Sequence, residues 1–210
     1  MLKPSILNHI EATGAMAIVR TETVERGIEI AEGCLAGGVD VMEISYTLPN
    51  ASDVIRALIE TFGDKLIAGA GTVLDGETAR LAIIAGAKFV IAPNFSKEVA
   101  RVCNRYMIPY MPGCTSVTEA VKALEAGASM IKAFPISNFY GPKLISIFKT
   151  PIPYMPILAS GGVTVANIPE WIRAGCECLG VGGLLMKGTK EEIMENAKQI
   201  RMQIDKTRKK

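Results

Sequence analysis

One lysine, Lys132, sits in the otherwise apolar run "ASMIKAFP" at residues 128–135, with no carboxylate beside it. Burying an ammonium is costly unless a counter-charge or a chemical use accompanies it. An internal pattern supplies the counterpart. "AGGVDVME", "AGAKFVI", "AGASMIK" and "AGCECLG", at residues 36–43, 85–91, 126–132 and 174–180, each join an Ala-Gly helix ending to an apolar run. Five residues beyond Gly38, Gly86, Gly127 and Gly175 stand Glu43, Ile91, Lys132 and Gly180. If the four copies are structurally equivalent, Glu43 and Lys132 lie at one depth in the fold, and Gly180 leaves space beside them. Burial in an apolar site favours the neutral form of a lysine. A neutral amine can attack a ketone and form a Schiff base, which acts as an electron sink. Glu43 is suited to move the protons that imine formation, bond cleavage and hydrolysis require. Arg20, ending "AIVR", is a second cation that would favour the neutral amine further. The plainer reading of the same residues is a buried ion pair without catalytic use, with Arg20 in a surface ion pair at the rim.

The scaffold that must position these residues is also periodic. Short β-rich runs at 16–19, 41–44, 66–70, 89–92, 108–111, 130–133, 154–158 and 179–181 alternate with helical patterns such as "TVERGIEIAEGCLAGG" and "SVTEAVKALEAGA". Alternation of this kind implies βα units and a parallel sheet. Eight strands, a helix at about 3–12 and a closing helix at about 191–204 predict a single-domain (β/α)8 TIM barrel spanning residues 1–210. In such a barrel, alternate strands contribute layers of four inward side chains. The four copies introduce strands 2, 4, 6 and 8, so Glu43 and Lys132 converge from opposite sides near the C-terminal mouth. The loops after strands 7 and 8 are where such barrels bind phosphate. They hold "ASGGV" and "GVGG", which makes Gly161, Gly162, Gly182 and Gly183 candidates for a backbone anion site. A Gly-Gly pair alone can also be only a tight turn.

Composition removes other chemistries. His9 is the single histidine, which excludes histidine-based zinc sites and Ser-His or Cys-His triads, and no metal site is expected. Five cysteines without a Cys-x-x-Cys pair read as reduced core thiols, with Cys114, after "MPG", the one candidate for reactivity. A formal net charge of +2 advertises neither a nucleic-acid nor a membrane partner, and the basic "KTRKK" reads as a solvated, fraying tail. No apolar run approaches the ~18 residues needed to span a bilayer. "MLKPSILNHIEATG" lacks the apolar stretch of a secretory signal, so a cytoplasmic location is expected.

Over nearly the whole chain, "AIVR", "MEISYTLPNA", "AGAGTVLD", "FVIAPN", "IPYMPGCTS", "MIKAFP", "ILASGGV" and "GVGGLLMKG" fall in the order and spacing of a known family. The sequence resembles the bacterial 2-keto-3-deoxy-6-phosphogluconate (KDPG)/4-hydroxy-2-oxoglutarate (KHG) aldolases, class I pyruvate-dependent lyases. The resemblance implies Lys132 as the Schiff-base lysine and Glu43 as the general acid/base. It places Arg20, Thr72, Pro93 and Phe134 in the pocket lining, and Gly161, Gly162, Gly182 and Gly183 in phosphate-binding turns. It further implies a phosphorylated keto acid substrate, no cofactor and a homotrimer. The chain departs from the pattern in places. Many members follow the glutamate with "T-L-R-T", whose arginine grips the pyruvyl carboxylate, and Thr47 stands there instead. That leaves Arg20, Thr72 and backbone amides to hold the carboxylate. Gly183 replaces a frequent serine, and Ser160 replaces the usual threonine before the Gly-Gly pair.

The reaction so implied is cleavage of 2-keto-3-deoxy-6-phosphogluconate, or a close 2-keto-3-deoxy acid, to pyruvate and glyceraldehyde 3-phosphate, or of 4-hydroxy-2-oxoglutarate to pyruvate and glyoxylate. A phosphogalactonate-specific aldolase is an alternative. So is a phosphate-binding barrel synthase or epimerase without a Schiff base, which predicts full activity in Lys132→Arg. A non-catalytic sugar-phosphate-binding regulator would bind without turnover, and the Glu43–Lys132 pair argues against it.

Overall fold

The computed structural model of the chain describes residues 3–135 and 137–209. Nine short strands run through them: β1 (Ala15–Val19), β2 (Val41–Ser45), β3 (Ile67–Gly71), β4 (Val90–Ile91), β5 (Tyr110–Met111), β6 (Gly113–Cys114), β7 (Ile131–Ala133), β8 (Ile157–Ser160) and β9 (Cys178–Val181). The helices are α1 (Lys3–Thr13), α2 (Val24–Ala36), α3 (Ala51–Phe62), α4 (Gly76–Ile84), α5 (Lys97–Arg105), α6 (Val117–Glu125), α7 (Ser137–Tyr140), α8 (Lys143–Lys149), α9 (Ile168–Arg173), α10 (Gly183–Met186) and α11 (Lys190–Arg208). All strand pairs are parallel, in the order β5-β4-β3-β2-β1-β9-β8-β7-β6. The two ends of that order, β5 and β6, are separated in sequence only by Pro112. One strand therefore changes partner at a proline that has no N–H to give, and the sheet closes into a TIM-barrel-like fold. Lys132 N–H donates to Pro112 O at 2.8 Å and Gly113 N–H to Ala92 O at 2.9 Å, which ties both halves across the junction.

The repeated glycines make the helix-to-strand turns. Gly38, Gly86, Gly127 and Gly175 have φ of 85°, 101°, 86° and 99°, a region where a Cβ is strained. Helix starts are set by side chains: Thr23, Asp75, Ser96, Ser116 and Thr189 each accept a backbone N–H three residues on. Ser116 with Glu119, and Thr189 with Glu192, form reciprocal capping boxes.

The core has two parts. Outward strand residues such as Met42, Ile44, Ile131 and Ala133 pack under the helices, while Met16, Val41, Ile67, Phe89, Ile91, Met111, Met130 and Leu158 fill the lower barrel. Ile6 and Ile10 of α1 complete the inner cluster and plug its base. Asp40 holds that plug, accepting from Thr13 Oγ1 at 2.7 Å and pairing with His9 Nε2 at 2.8 Å. With its lower half filled, the barrel can open only at the C-terminal ends of its strands.

Two expectations need correction. The seventh strand of the eightfold pattern begins at Ile157, not at 154, and Tyr154 is exposed. Pro151, Pro153 and Pro156 cannot donate to a ladder, so regular pairing starts only after the last of them. The basic C-terminal run is not a fraying tail: α11 continues through Arg208, whose guanidinium donates to Ala12 O at 3.1 Å and Glu177 O at 2.8 Å. Lys210, the last residue of that run, lies outside the described residues. Among the described residues no helix is long and apolar enough to cross a membrane.

Candidate active site

Strand alternation sends Val41, Glu43 and Ser45 inward from β2, and Met130, Lys132 and Phe134 inward on and beside β7. The Lys132 and Glu43 side chains are 7 % and 1 % exposed, with Nζ 3.9 Å from Oε1. That separation exceeds a hydrogen bond, and neither Glu43 oxygen accepts one from the described residues. Glycine makes this placement possible. A Cβ on Gly71 would overlap the Glu43 carboxylate, and one on Gly113, beside Lys132 in register, would overlap the Pro93 carbonyl. Gly180 faces Ile18 Cδ1, which a Cβ would approach to 2.8 Å. Phe134, two residues along from the lysine, places its ring centroid 4.9 Å from Nζ.

Above this pair opens a cavity of about 310 Å³. Lys132 forms part of its wall, together with Arg20, Thr72, Pro93 and Phe134. Ser160, Gly161, Gly162, Gly182 and Gly183 line it too. Glu43 is not among the residues that line the cavity; its carboxylate is buried 3.9 Å from the lysine amine, which the sequence pattern could not distinguish. Ile18, Val163 and Gly180 also line the cavity; the first two belong to the "AIVR" and "ASGGV" runs but carry no chemical signal of their own. Arg20 is an exposed side chain at the mouth, and its backbone N–H donates to Met186 Sδ at 3.2 Å.

The glycine turns are held by residues that motif reading missed. Gly161 and Gly162 have φ of 102° and 71°. Asn167 fastens that loop, its Nδ2 donating to Gly162 O at 2.8 Å and its Oδ1 accepting from Thr164 N–H at 2.8 Å. Arg26 braces the segment after the other turn, donating from Nη2 to Met186 O at 3.0 Å and Gly188 O at 2.7 Å. Positions where a Cβ would stand on Gly182 and Gly183 have no atom within 4 Å. The space beside these two residues is open, so an anion could approach their backbone there. The Arg26 clamp reaches partners 160 and 162 positions away and leaves no local signal, whereas Asn167 acts within five residues, as part of a Thr-x-x-Asn turn with Thr164. Thr72 has φ 58°, and its hydroxyl lies 2.9 Å from that of Ser45. Thr47, in turn, donates to Ser45 at 3.3 Å. Cys114 is not a reactive thiol: it is buried, and desolvation pushes its pKa up to about 12, with Glu119 adding to the effect.

The arrangement is a largely buried amine on the wall of a cavity, a buried carboxylate beside it, and a cation and glycine turns that also line the cavity. It suits carbonyl chemistry on a small anionic substrate. The model of the family "KDPG and KHG aldolase" matches residues 6–202. The 2-dehydro-3-deoxy-6-phosphogalactonate aldolase of Escherichia coli (strain K12) is 37 % identical over 173 residues, 82 % of this chain and 84 % of that protein. The 2-dehydro-3-deoxy-phosphogluconate aldolase of Treponema pallidum (strain Nichols) is 33 % identical over 182 residues, 87 % of this chain and 86 % of that one. Among solved structures, "Native KDPGal structure" superposes with a TM-score of 0.88 at 33 % identity, covering 93 % of this chain and 96 % of that chain.

Proposed function

The chain belongs to the KDPG and KHG aldolase family, and from that footing we propose that it is a class I aldolase cleaving a 2-keto-3-deoxy-6-phospho sugar acid. The observation that carries this reading is the buried Glu43–Lys132 pair at 3.9 Å, with the lysine on the cavity wall. Lys132 Nζ adds to the C2 carbonyl, and loss of water gives an iminium. Glu43 takes the proton of the C4 hydroxyl, the C3–C4 bond breaks, and its electron pair flows into the iminium to give an enamine. Glyceraldehyde 3-phosphate departs. The enamine takes a proton at C3, and water then releases pyruvate and the free amine. In this scheme the iminium is the electron sink, so no metal is required.

A carboxylate whose oxygens accept no hydrogen bond from the described residues keeps its lone pairs for a substrate hydroxyl or a water. It lies 3.9 Å from the amine that captures the substrate, and catalytic contacts often tighten only when substrate is bound. At the far end, the amides of Gly161, Gly162, Gly182 and Gly183 hold the phosphate, with Ser160 beside them. Thr72 and Arg20 hold the keto-acid carboxylate, in the absence of an arginine at position 47. Relatives at 37 % and 33 % identity bear the names of the phosphogalactonate and phosphogluconate enzymes, substrates that differ in configuration at C4. Both are therefore proposed substrates, with 4-hydroxy-2-oxoglutarate as a slower one lacking the phosphate contact. The functional unit is proposed to be a cytoplasmic homotrimer.

The test is pyruvate release, coupled to lactate dehydrogenase, over these three keto acids with the wild type and Lys132→Arg. The aldolase reading expects turnover of at least one phosphorylated acid, and loss by at least about 1,000-fold in the variant, which keeps the charge but cannot form the imine. Full activity in Lys132→Arg would instead support a barrel enzyme that works without a Schiff base.

A further inference from the structure

Three hydroxyls stand in line at the top of the β2–β3 seam. Thr47 Oγ1 donates to Ser45 Oγ at 3.3 Å, and Ser45 Oγ lies 2.9 Å from Thr72 Oγ1. Ser45 is 2 % exposed, whereas Thr72 is half-buried on the cavity wall. The φ of 58° at Thr72 is an outlier for a β-branched residue and persists only where the surroundings enforce it. On either side the backbone is tied into the barrel: Tyr46 N–H donates to Gly71 O at 2.8 Å, and Val73 N–H donates to Ile91 O at 3.1 Å. Glycine takes such conformations without a steric penalty, and it does so at ten other places among the described residues. A threonine at this bend therefore serves the cavity with its side chain.

The hydroxyl chain decides where its protons point. A serine hydroxyl has one proton and accepts on its lone pairs. Since Thr47 donates to Ser45, the Ser45 proton is free to go to Thr72, and the Thr72 proton is then free for the cavity. Donors linked in this order polarise one another, most of all where water is excluded. We propose that Ser45, backed by Thr47, is a positioning residue that fixes the rotamer and proton of Thr72, so that Thr72 donates to a carboxylate oxygen of the bound keto acid. This recognises the anion through a neutral donor chain. The proposal rests on the aldolase reading.

A double-mutant cycle tests it, with kcat and KM measured for Ser45→Ala, Thr72→Ala and the double variant on a turned-over keto acid. Because the contact serves binding, each single variant is expected to raise KM about tenfold with kcat little changed, and the double variant to be no worse than Thr72→Ala. Equal losses from Ser45→Ala in both backgrounds, or an unchanged KM in the single variant, would overturn the proposal. So would a fall in kcat and melting temperature in place of the KM effect. Should Ser45→Ala fail to fold, Thr47→Val at an exposed position carries the same cycle: its KM rise must vanish in the Thr72→Ala background, and persistence there overturns the proposal. Borohydride trapping of the wild type with pyruvate separates the two levels. An adduct on Lys132 with additive losses overturns the role of Ser45 alone, and no adduct overturns both readings.

Discussion

At the scale of single residues, the least ordinary group is Glu43. A carboxylate buried with no hydrogen-bond donor among the described residues, and a lysine at 3.9 Å, stands against a desolvation cost of several kcal/mol, which an apolar pair would avoid. Stability does not explain its presence; the proposed proton-transfer role does. Glu43→Gln keeps size and burial but cannot take a proton. We expect it to lower kcat by about 100- to 10,000-fold while a pyruvate adduct on Lys132 still forms, checked by steady-state kinetics beside adduct mass. Gly71→Ala pushes a methyl into the Glu43 carboxylate, and should depress kcat much as Glu43→Gln does even if the variant folds. The five buried cysteines form a second set of unusual residues. Burial pushes the pKa of Cys34, Cys103, Cys114 and Cys176 up to about 12 from a reference of 9.0. Between those values the unfolded chain has lost the thiol protons that the folded chain keeps, so their contribution to stability is full below pH 9 and is lost as pH rises towards 12. A disulfide reagent should accordingly titrate no thiol at pH 8 in native protein and all five after denaturation.

At the scale of elements, glycine placement and capping carried most of what could be read in advance. The proximity of Glu43 and Lys132 was legible because the Ala-Gly endings fix where each strand begins, and a fixed start plus strand alternation sets the inward side chain. The Pro112 break was not legible as a change of partner, since a proline reads equally well as the end of a strand. The start of the 157–160 strand was obscured by β-prone residues between prolines, where propensity competed with the missing donors. The Arg26 clamp left no pattern, because its partners lie 160 and 162 positions away; Asn167 acts locally, three residues after Thr164, on a turn that motif reading recognised only by its glycines. Asn167→Ala removes two hydrogen bonds from the Gly161–Gly162 loop. We expect KM for a phosphorylated substrate to rise about fivefold or more, while pyruvate, which has no phosphate, is trapped as before. Thr189→Ala, which deletes a capping box of α11, should cost about 1 kcal/mol in denaturant unfolding and leave KM unchanged.

For the molecule as a whole, the barrel separates stability from chemistry along its axis. The base is filled by apolar side chains and closed by α1, so Ile10→Ala should destabilise by about 3 kcal/mol in denaturant unfolding without altering substrate preference. The mouth holds every group assigned to the reaction, on strand ends and the loops that follow them. That division, and the family, were readable from the periodicity and motif order. The preferred C4 configuration was not, because it depends on the placement of a buried carboxylate and hydroxyls to within fractions of an ångström. The most direct test of the central claim is borohydride reduction in the presence of pyruvate, followed by peptide mapping by mass. A Schiff-base mechanism predicts one stable adduct, on Lys132, with loss of activity in proportion to labelling. Full activity with Lys132 unmodified would contradict it.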